Sequence, residues 1–484
     1  MGEYTCWVAG QRLTFAPQPS GRTPLTARAR MAALPMLALM LGGCLSAPPI
    51  HLDPPLPDHW RNVSADASAR PAPKGAWWKA FNDARLDAIV ETALRENLEV
   101  GAAIERLRAA RLLDRHASDP YLPNLHARTD DAIDPDASAS FFVAGFDSMW
   151  EFGLFGKRDS AKRVARAQLD AATVGVAGAR VSLIAEVVRN WIELRSAQHK
   201  EAILSRIRDA EVERLRLLHI RQINALSSSA EISEVETELA GADAAMTEPR
   251  QTVNAAMQRL ATLVGSNAPD PTWLGAGEQP SLGAIRLESV PAELLRSRPE
   301  IAKAEANALR AAGELGLSRA QMYPFIGVRA GIQWSTKITS NRPSPSQAVL
   351  AIGPVIDIPL FDWGDRIANA HAQAFELKAA LLEYRQNVLV GVAEVESALG
   401  DLEQLERRVE AMTRAVQSAA RTAALTEKRA EFGVDSPLDG EDQRIASDRR
   451  ALDLLDSRAQ HSLAFVALNK ALGGADALAG EEPR

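Results

Sequence analysis

The chain has 484 residues, 46% of them apolar and 24% charged, a composition that excludes a disordered chain and is long enough for two or three ordinary domains. Aromatic residues make up only 5%, which argues against a thick globular core and for long helices packed through small side chains. The formal charge of −7 at pH 7 disfavours nucleic-acid binding, which needs a basic face.

At the N-terminus Arg28 and Arg30 precede an apolar run from Met31 to Leu41, followed by Gly42-Gly43-Cys44. A positive region, a short apolar stretch and small residues before a cut site make a secretory signal, and the stretch is too short to span a bilayer as a helix. Leu41-Gly42-Gly43-Cys44 also resembles a bacterial lipoprotein box, in which Cys44 would be acylated and become the first mature residue; a plain signal peptide is the alternative. Residues 1–30 carry little pattern, and Met31 is an alternative start. Removing residues 1–43 takes away Arg12, Arg22, Arg28, Arg30 and only Glu3, so the charge moves from −7 to −10. Cys6, the only other cysteine, goes with them, and the mature chain has no disulfide to form.

The rest reads as one unit present twice. Glu96-Asn97-Leu98-Glu99 opens a helical stretch ending at Tyr121-Leu122-Pro123, and Ser297-Arg298-Pro299-Glu300 opens one ending at Met322-Tyr323-Pro324, 201 residues later. Phe155-Gly156-Lys157-Arg158 answers Trp363-Gly364-Asp365-Arg366, and Arg221 to Ala225 with Glu231 answers Arg429 to Gly433 with Asp439, both at a separation of 208. The implied division is a signal over 1–43, a lipidated linker over 44–80, a first repeat over 81–265, a linker over 266–290, a second repeat over 291–474 and a tail over 475–484.

Within each repeat the order is helix, two strands, then long helices. A weak outward strand is expected from Leu125 to about Asp131, shortened by Asp130-Asp131-Ala132-Ile133-Asp134-Pro135-Asp136. In its partner Phe142, Ala144, Phe146, Trp150 and Phe152 share one face, opposite Gly145, Asp147 and Glu151. From Lys157 to Ile223 apolar residues recur at three- and four-residue steps without a proline, predicting a rod of roughly 100 Å. A return helix from about Ala230 to Val264 should kink or split at Pro249. In the second repeat Ile326, Val328, Ala330, Ile332 and Trp334 alternate with glycine and polar residues, and Leu350, Ile352, Pro354, Ile356 and Ile358 continue the pattern. Helices follow from about Asp365 to Arg429 and from about Pro437 to Leu472.

Such alternation fits a sheet on a soluble core or a transmembrane barrel. No helical segment after Cys44 has the roughly 18 consecutive apolar residues that cross a membrane, so a crossing would need a closed barrel. Four strands are fewer than the eight or so of the smallest barrels, and the barrel would be shared between subunits.

These features resemble the TolC-type outer-membrane efflux proteins, in the OprM- and NodT-like lipoprotein branch. The resemblance rests on the box at Cys44, Trp77-Trp78 with Phe81, Trp150 to Arg158, Arg298-Pro299-Glu300-Ile301 and Pro359 to Arg366, and covers essentially the whole mature chain. It implies a mainly α fold with a β-barrel part: a duplicated unit of long antiparallel coiled-coil helices plus a β-hairpin. A homotrimer would build a 12-strand outer-membrane barrel continuing into a periplasmic α-helical tunnel. The implied partners are a periplasmic adaptor protein and an inner-membrane transporter of the resistance-nodulation-division type; the implied function is passive conduction of solutes.

By the same resemblance the pattern of a glycine with aspartates six and nine residues on falls on Gly433, Asp439 and Asp442, which would ring the periplasmic aperture. The alternative is that both are solvated helix-start acids. Their first-repeat equivalents, Glu231 and Glu234, read as surface charges, so the second repeat is expected to set the constriction. Ala430 and Asp435 stand where some members carry a tyrosine and an arginine that tie the tip shut, so that latch does not carry over. Ala225 and Leu226, with Gly433 and Val434, would be the adaptor-contact tips.

The eight histidines are scattered without metal-ligand spacing, and no phosphate loop, nucleophile elbow or mature cysteine pair is present, so no enzyme activity and no cofactor beyond a covalent lipid on Cys44 are expected. The competing readings are a lipid-anchored periplasmic coiled-coil scaffold and a channel for protein secretion.

Overall fold

The computed structural model describes residues 52, 60, 70–71, 76–132, 141–275, 277–282, 285–286, 298–337 and 347–474. The signal over 1–43, Cys44 and the tail over 475–484 lie outside the described residues.

Two helices of 67 residues, α3 (Lys157–Ile223) and α7 (Asp365–Glu431), dominate the chain. Each follows a turn that only a left-handed backbone completes: Phe155 and Gly156 have φ of 56° and 78°, and Trp363 and Gly364 have 58° and 86°. Glycine takes this conformation without cost, and the second residue of the pair is glycine in both repeats. Shorter helices complete the set: α1 (Ala84–Glu96), α2 (Leu98–Arg115), α4 (Ser229–Ala245), α5 (Thr247–Leu263), α6 (Pro299–Ala320) and α8 (Pro437–Ala471).

The return helix of the first repeat splits at Met246, between α4 and α5. Pro249 is then the third residue of α5, in the first turn, where a missing N–H leaves no intrahelical bond unmade. Its counterpart α8 has no internal proline and runs unbroken over 35 residues. One 18-residue window of α3 reaches a mean hydropathy of 1.6, yet Val181, Leu183, Ile184, Val187 and Val188 of that helix are buried in the protein core.

Packing is richest midway along the rods. Trp77, Trp78, Phe81 and Phe465 form an edge-to-face cluster with centroids 5.9–6.2 Å apart, continuous with Trp191, Ile192, Val388 and Leu468. Trp191 donates to Asp83 at 2.7 Å while Asp83 also caps α1. Towards the hairpin tips the core thins to a group around Ile203, Ile207, Met246 and Ile445, then to Leu218, Ile232 and Val235 with Leu215 and Leu438 packed against them.

Four strands form one antiparallel sheet in chain order: β1 (His126–Ala132), β2 (Phe141–Glu151), β3 (Phe325–Lys337) and β4 (Gln347–Asp357). The two hairpins share one register: Ala127 faces Phe146, and their counterparts 201 and 208 residues on, Val328 and Pro354, also face each other. The β2–β3 ladder joins the repeats, supported by α6 against α3. That helix contact is close enough to need glycine, since a Cβ on Gly313 would stand 2.7 Å from the Val164 side chain and 3.0 Å from its backbone nitrogen. Gly313→Leu is therefore expected to lower stability by about 1–3 kcal/mol through overpacking. Gly241→Ala, in open space on α4, should be neutral or stabilising by up to about 1 kcal/mol; thermal unfolding of the two variants checks the pair.

Candidate channel surfaces

Strand pairing fixes which side chains share a face, because residues directly opposite one another point the same way. From Phe146↔Ile332, Trp150↔Val328, Ile332↔Leu350 and Ile326↔Ile356, one face carries Phe146, Trp150, Ile326, Val328, Ile332, Trp334, Leu350, Ile352 and Ile356. Leu350, Ile352 and Ile356 are 68%, 69% and 61% exposed. From Arg128↔Gly145, His126↔Asp147, Arg329↔Gly353 and Phe325↔Asp357, the other face carries His126, Arg128, Asp147, Glu151, Arg329, Gln333 and Asp357 among glycines, with Met149, Phe325, Val349 and Val355 between them. Phe146 and Trp334 pack edge-to-face near one end of the apolar face, and Trp150 with Phe152 at the other. From Ile326 to Trp334 the apolar band spans about 26 Å along the strand, or about 20 Å at a tilt of about 40°.

At the far end of the rods the two tips are built alike. Ala225 N–H donates to Gln222 and Leu226 N–H to Arg221; 208 residues on, Gly433 donates to Ala430 and Val434 to Arg429. This pair of bonds is the Schellman motif, and its left-handed residue is Ala225 at φ 59° in one tip and Gly433 at φ 70° in the other. Each tip then starts its return helix with a capping box, Ser228 with Glu231 and Ser436 with Asp439. The pattern Ser-x-x-acid was readable in the sequence. Ile223, Leu226, Phe432 and Val434 stand out at 85%, 64%, 83% and 65% exposure. Arg429 grips Asp435 through two bonds of 2.7 and 2.9 Å, closing the second tip on itself.

Asp439 thus spends Oδ2 on the Ser436 N–H at 3.0 Å. Asp442 sits one turn further along α8, and its Oδ1 lies 2.7 Å from Arg214 on α3. Arg214 also bonds Glu211 at 2.6 Å and Glu238 of α4, so one guanidinium joins three helices. Two turns away, Arg206 reaches Asp448 of α8 at 2.6 Å. Glu211 is 1% exposed, and burial holds its carboxyl above the usual range against the pull of Arg214. Sequence reasoning missed Arg214, since only the fold brings it to Asp442. Among the described residues no group of three or more His, Cys, Asp or Glu side chains is arranged to hold a metal ion.

Two outcomes follow for the tips. Arg214→Ala strands a buried carboxylate and should cost on the order of 3 kcal/mol at neutral pH. Because the folded pKa of Glu211 lies above its unfolded value, that cost is greatest above the folded pKa and shrinks as pH falls and Glu211 takes up a proton; Glu211→Gln added to Arg214→Ala should recover part of it. Ala225→Gly removes a Cβ from a left-handed position and should stabilise the first tip by about 1 kcal/mol. Denaturant melts of these variants at two pH values measure all three.

The pattern that defines the outer membrane efflux proteins matches residues 89–266 and again 290–474. The pyoverdine export outer membrane protein OpmQ of Pseudomonas aeruginosa is 28% identical over 90% of this chain and 95% of its own length. Nodulation protein T of Rhizobium leguminosarum bv. trifolii is 25% identical over 91% and 96%. Among solved structures, the outer-membrane channel OprN superposes with a TM-score of 0.76 at 24% identity, covering 89% of this chain and 99% of that one. The open-state outer membrane channel MtrE of Neisseria gonorrhoeae also gives 0.76, at 22% identity over 89% and 98%. With both repeats matched, the chain belongs to the outer membrane efflux protein family.

Proposed function

We propose that this chain is the outer-membrane channel subunit of an efflux system, conducting solutes passively from the periplasm to the exterior. The observation that carries the reading is the sorting of the four strands into an apolar face and a mixed face on which the glycines and most of the charges gather, fused to helical rods of roughly 100 Å. An apolar exterior with a polar interior is what a lipid-embedded, water-filled barrel requires. A periplasmic coiled-coil scaffold would have no use for nine apolar side chains on one open sheet face.

Three chains would supply twelve strands to one barrel, and their rods a tunnel across the periplasm. The exposed tips around Ala225, Leu226, Gly433 and Val434 are the surface offered to a periplasmic adaptor and, through it, to an inner-membrane transporter of the resistance-nodulation-division type. Cys44 would carry the lipid anchor. The second-repeat tip would set the aperture, with Asp439 and Asp442 supplying its charge, Asp442 only so far as Arg214 leaves its field uncompensated.

Purified from outer membranes in detergent, the protein should run as a three-chain complex that dissociates on heating and should conduct steadily in a planar bilayer; a monomer without conductance would sink the reading. Asp439→Asn keeps an acceptor for the Ser436 N–H while removing charge. Combined with Asp442→Asn it should lower preference for cations, and unchanged selectivity would remove both residues from the aperture.

A further inference from the structure

Where the sheet joins the rods, the face that gathers the glycines and most of the charges ends at a corner cavity of about 310 Å³. Phe155 enters it from the turn after β2 and Tyr323 from the turn before β3. The two rings stack with centroids 4.9 Å apart and planes 16° from parallel. Phe325, the first residue of β3, adds a third ring, and the end of β4 with the first turn of α7 closes the far side.

Four charged side chains line the same cavity, and three of them are matched. Lys157 Nζ donates to Glu151 at 2.6 Å and stands 6.0 Å from the centre of the Phe325 ring. The Arg366 guanidinium lies 3.6 Å from Asp362, which also accepts the Gly364 N–H at 3.1 Å. Asp357 is exposed and has no hydrogen bond or ion pair among the described residues. Lys157 and Arg366 thus stand against Glu151, Asp362 and Asp357, and the corner keeps one negative charge over.

The strand register puts that charge beside a ring. Phe325 and Asp357 are directly opposite on the β3–β4 ladder, which sets their Cβ atoms about 5 Å apart on one face. On the other side of β3, Glu151 is opposite Gly327, one step along the same face. Phe325 is therefore flanked by two carboxylates, and one of them already holds an ammonium near the ring. An aromatic face attracts a cation through its quadrupole, more strongly where water is partly displaced.

The fold does not demand this chemistry. The counterparts of Phe325 and Asp357 in the first repeat are Asn124 and Met149, 201 and 208 residues earlier. They close their hairpin through the Asn124 N–H to the Met149 carbonyl at 3.0 Å, with neither ring nor charge. The counterpart of Glu151 is Pro359.

We propose that this corner is a binding subsite for aromatic organic ammonium ions, the ammonium between Asp357 and Phe325 and the aromatic part of the solute against the Phe155–Tyr323 stack. A small inorganic cation keeps its water and gains little from the rings, and an anion meets the Asp357 charge. A site of this kind holds a solute where the rods give way to the sheet, weakly enough to let it pass on. The subsite rests on the reading of this face as the wall of the lumen.

The probe is benzyltrimethylammonium, with tetramethylammonium as the cation without a ring and toluenesulfonate as the ring with the opposite charge. On the detergent-purified protein, saturation-transfer NMR should show the benzyl protons in contact with protein, and both comparison ions should bind several-fold more weakly. Asp357→Asn and Phe325→Leu should each weaken binding of the probe several-fold, and Asp357→Glu should retain it. Thermal unfolding of Asp357→Asn should be unchanged, since no bond is lost. In planar bilayers the probe should reduce the current with the same ranking of variants, and should keep its advantage over tetramethylammonium when Asp439→Asn and Asp442→Asn are combined. Equal binding in the unaltered protein and in Asp357→Asn, or equal binding of toluenesulfonate, overturns the subsite and leaves the channel reading to its conductance. A ring preference that disappears with the tip variants instead also overturns it. Binding that depends on Asp357 in a protein that does not conduct keeps the subsite and removes the channel.

Discussion

The register of β2 against β3 is the constraint on which the rest depends. Side chains alternate along a strand, so a slip of one residue would carry Asp147 and Glu151 onto the face of Ile332 and Trp334. Neither water nor lipid would then suit either side of the sheet. The register is held from below: α3 and α6 meet at Gly313 with no room for a Cβ, and the Phe155–Tyr323 stack pins the turn that leaves β2 to the turn that enters β3. Helix packing and strand pairing are thereby two readings of a single alignment between the repeats.

The duplication makes this economy visible and also shows where it is broken. Both tips carry the same Schellman bonds and the same capping box, but the first places alanine in the left-handed position and the second glycine. The return helix is split at Met246 in the first repeat and continuous in the second. Arg214 has no charged counterpart, since Thr422 stands 208 residues on. The repeats share geometry and differ in strain and charge, so one tip is not a spare copy of the other.

Much of the architecture was legible in the sequence, for physical reasons that vary by element. The two 67-residue helices were readable because their apolar spacing is helical and no proline interrupts it, and the second hairpin because its alternation is clean from Ile326 to Trp334. The first outward strand gave a weak signal, with Arg128 and two aspartates in place of alternating apolar residues; its pairing with β2 fixes it all the same. The site was less readable. Ser436 and Asp439 are three residues apart and announce a capping box, whereas Arg214 and Asp442 meet only after two long helices have folded back side by side. Sequence periodicity reports faces, and it is silent on which charge on one helix lies opposite which charge on another.

The thinning of the core from the Trp77–Phe465 cluster to the small group at Leu218 has a mechanical meaning. Each rod is a lever clamped at mid-length and held towards its free end by two small apolar groups and by charge pairs such as Arg214 with Asp442 and Arg206 with Asp448. Local opening draws on the weakest cooperative unit first. A load applied at Phe432 or Ile223 would therefore bend the ends apart against those small groups and ionic contacts before it disturbs the aromatic clamp and the sheet beyond it.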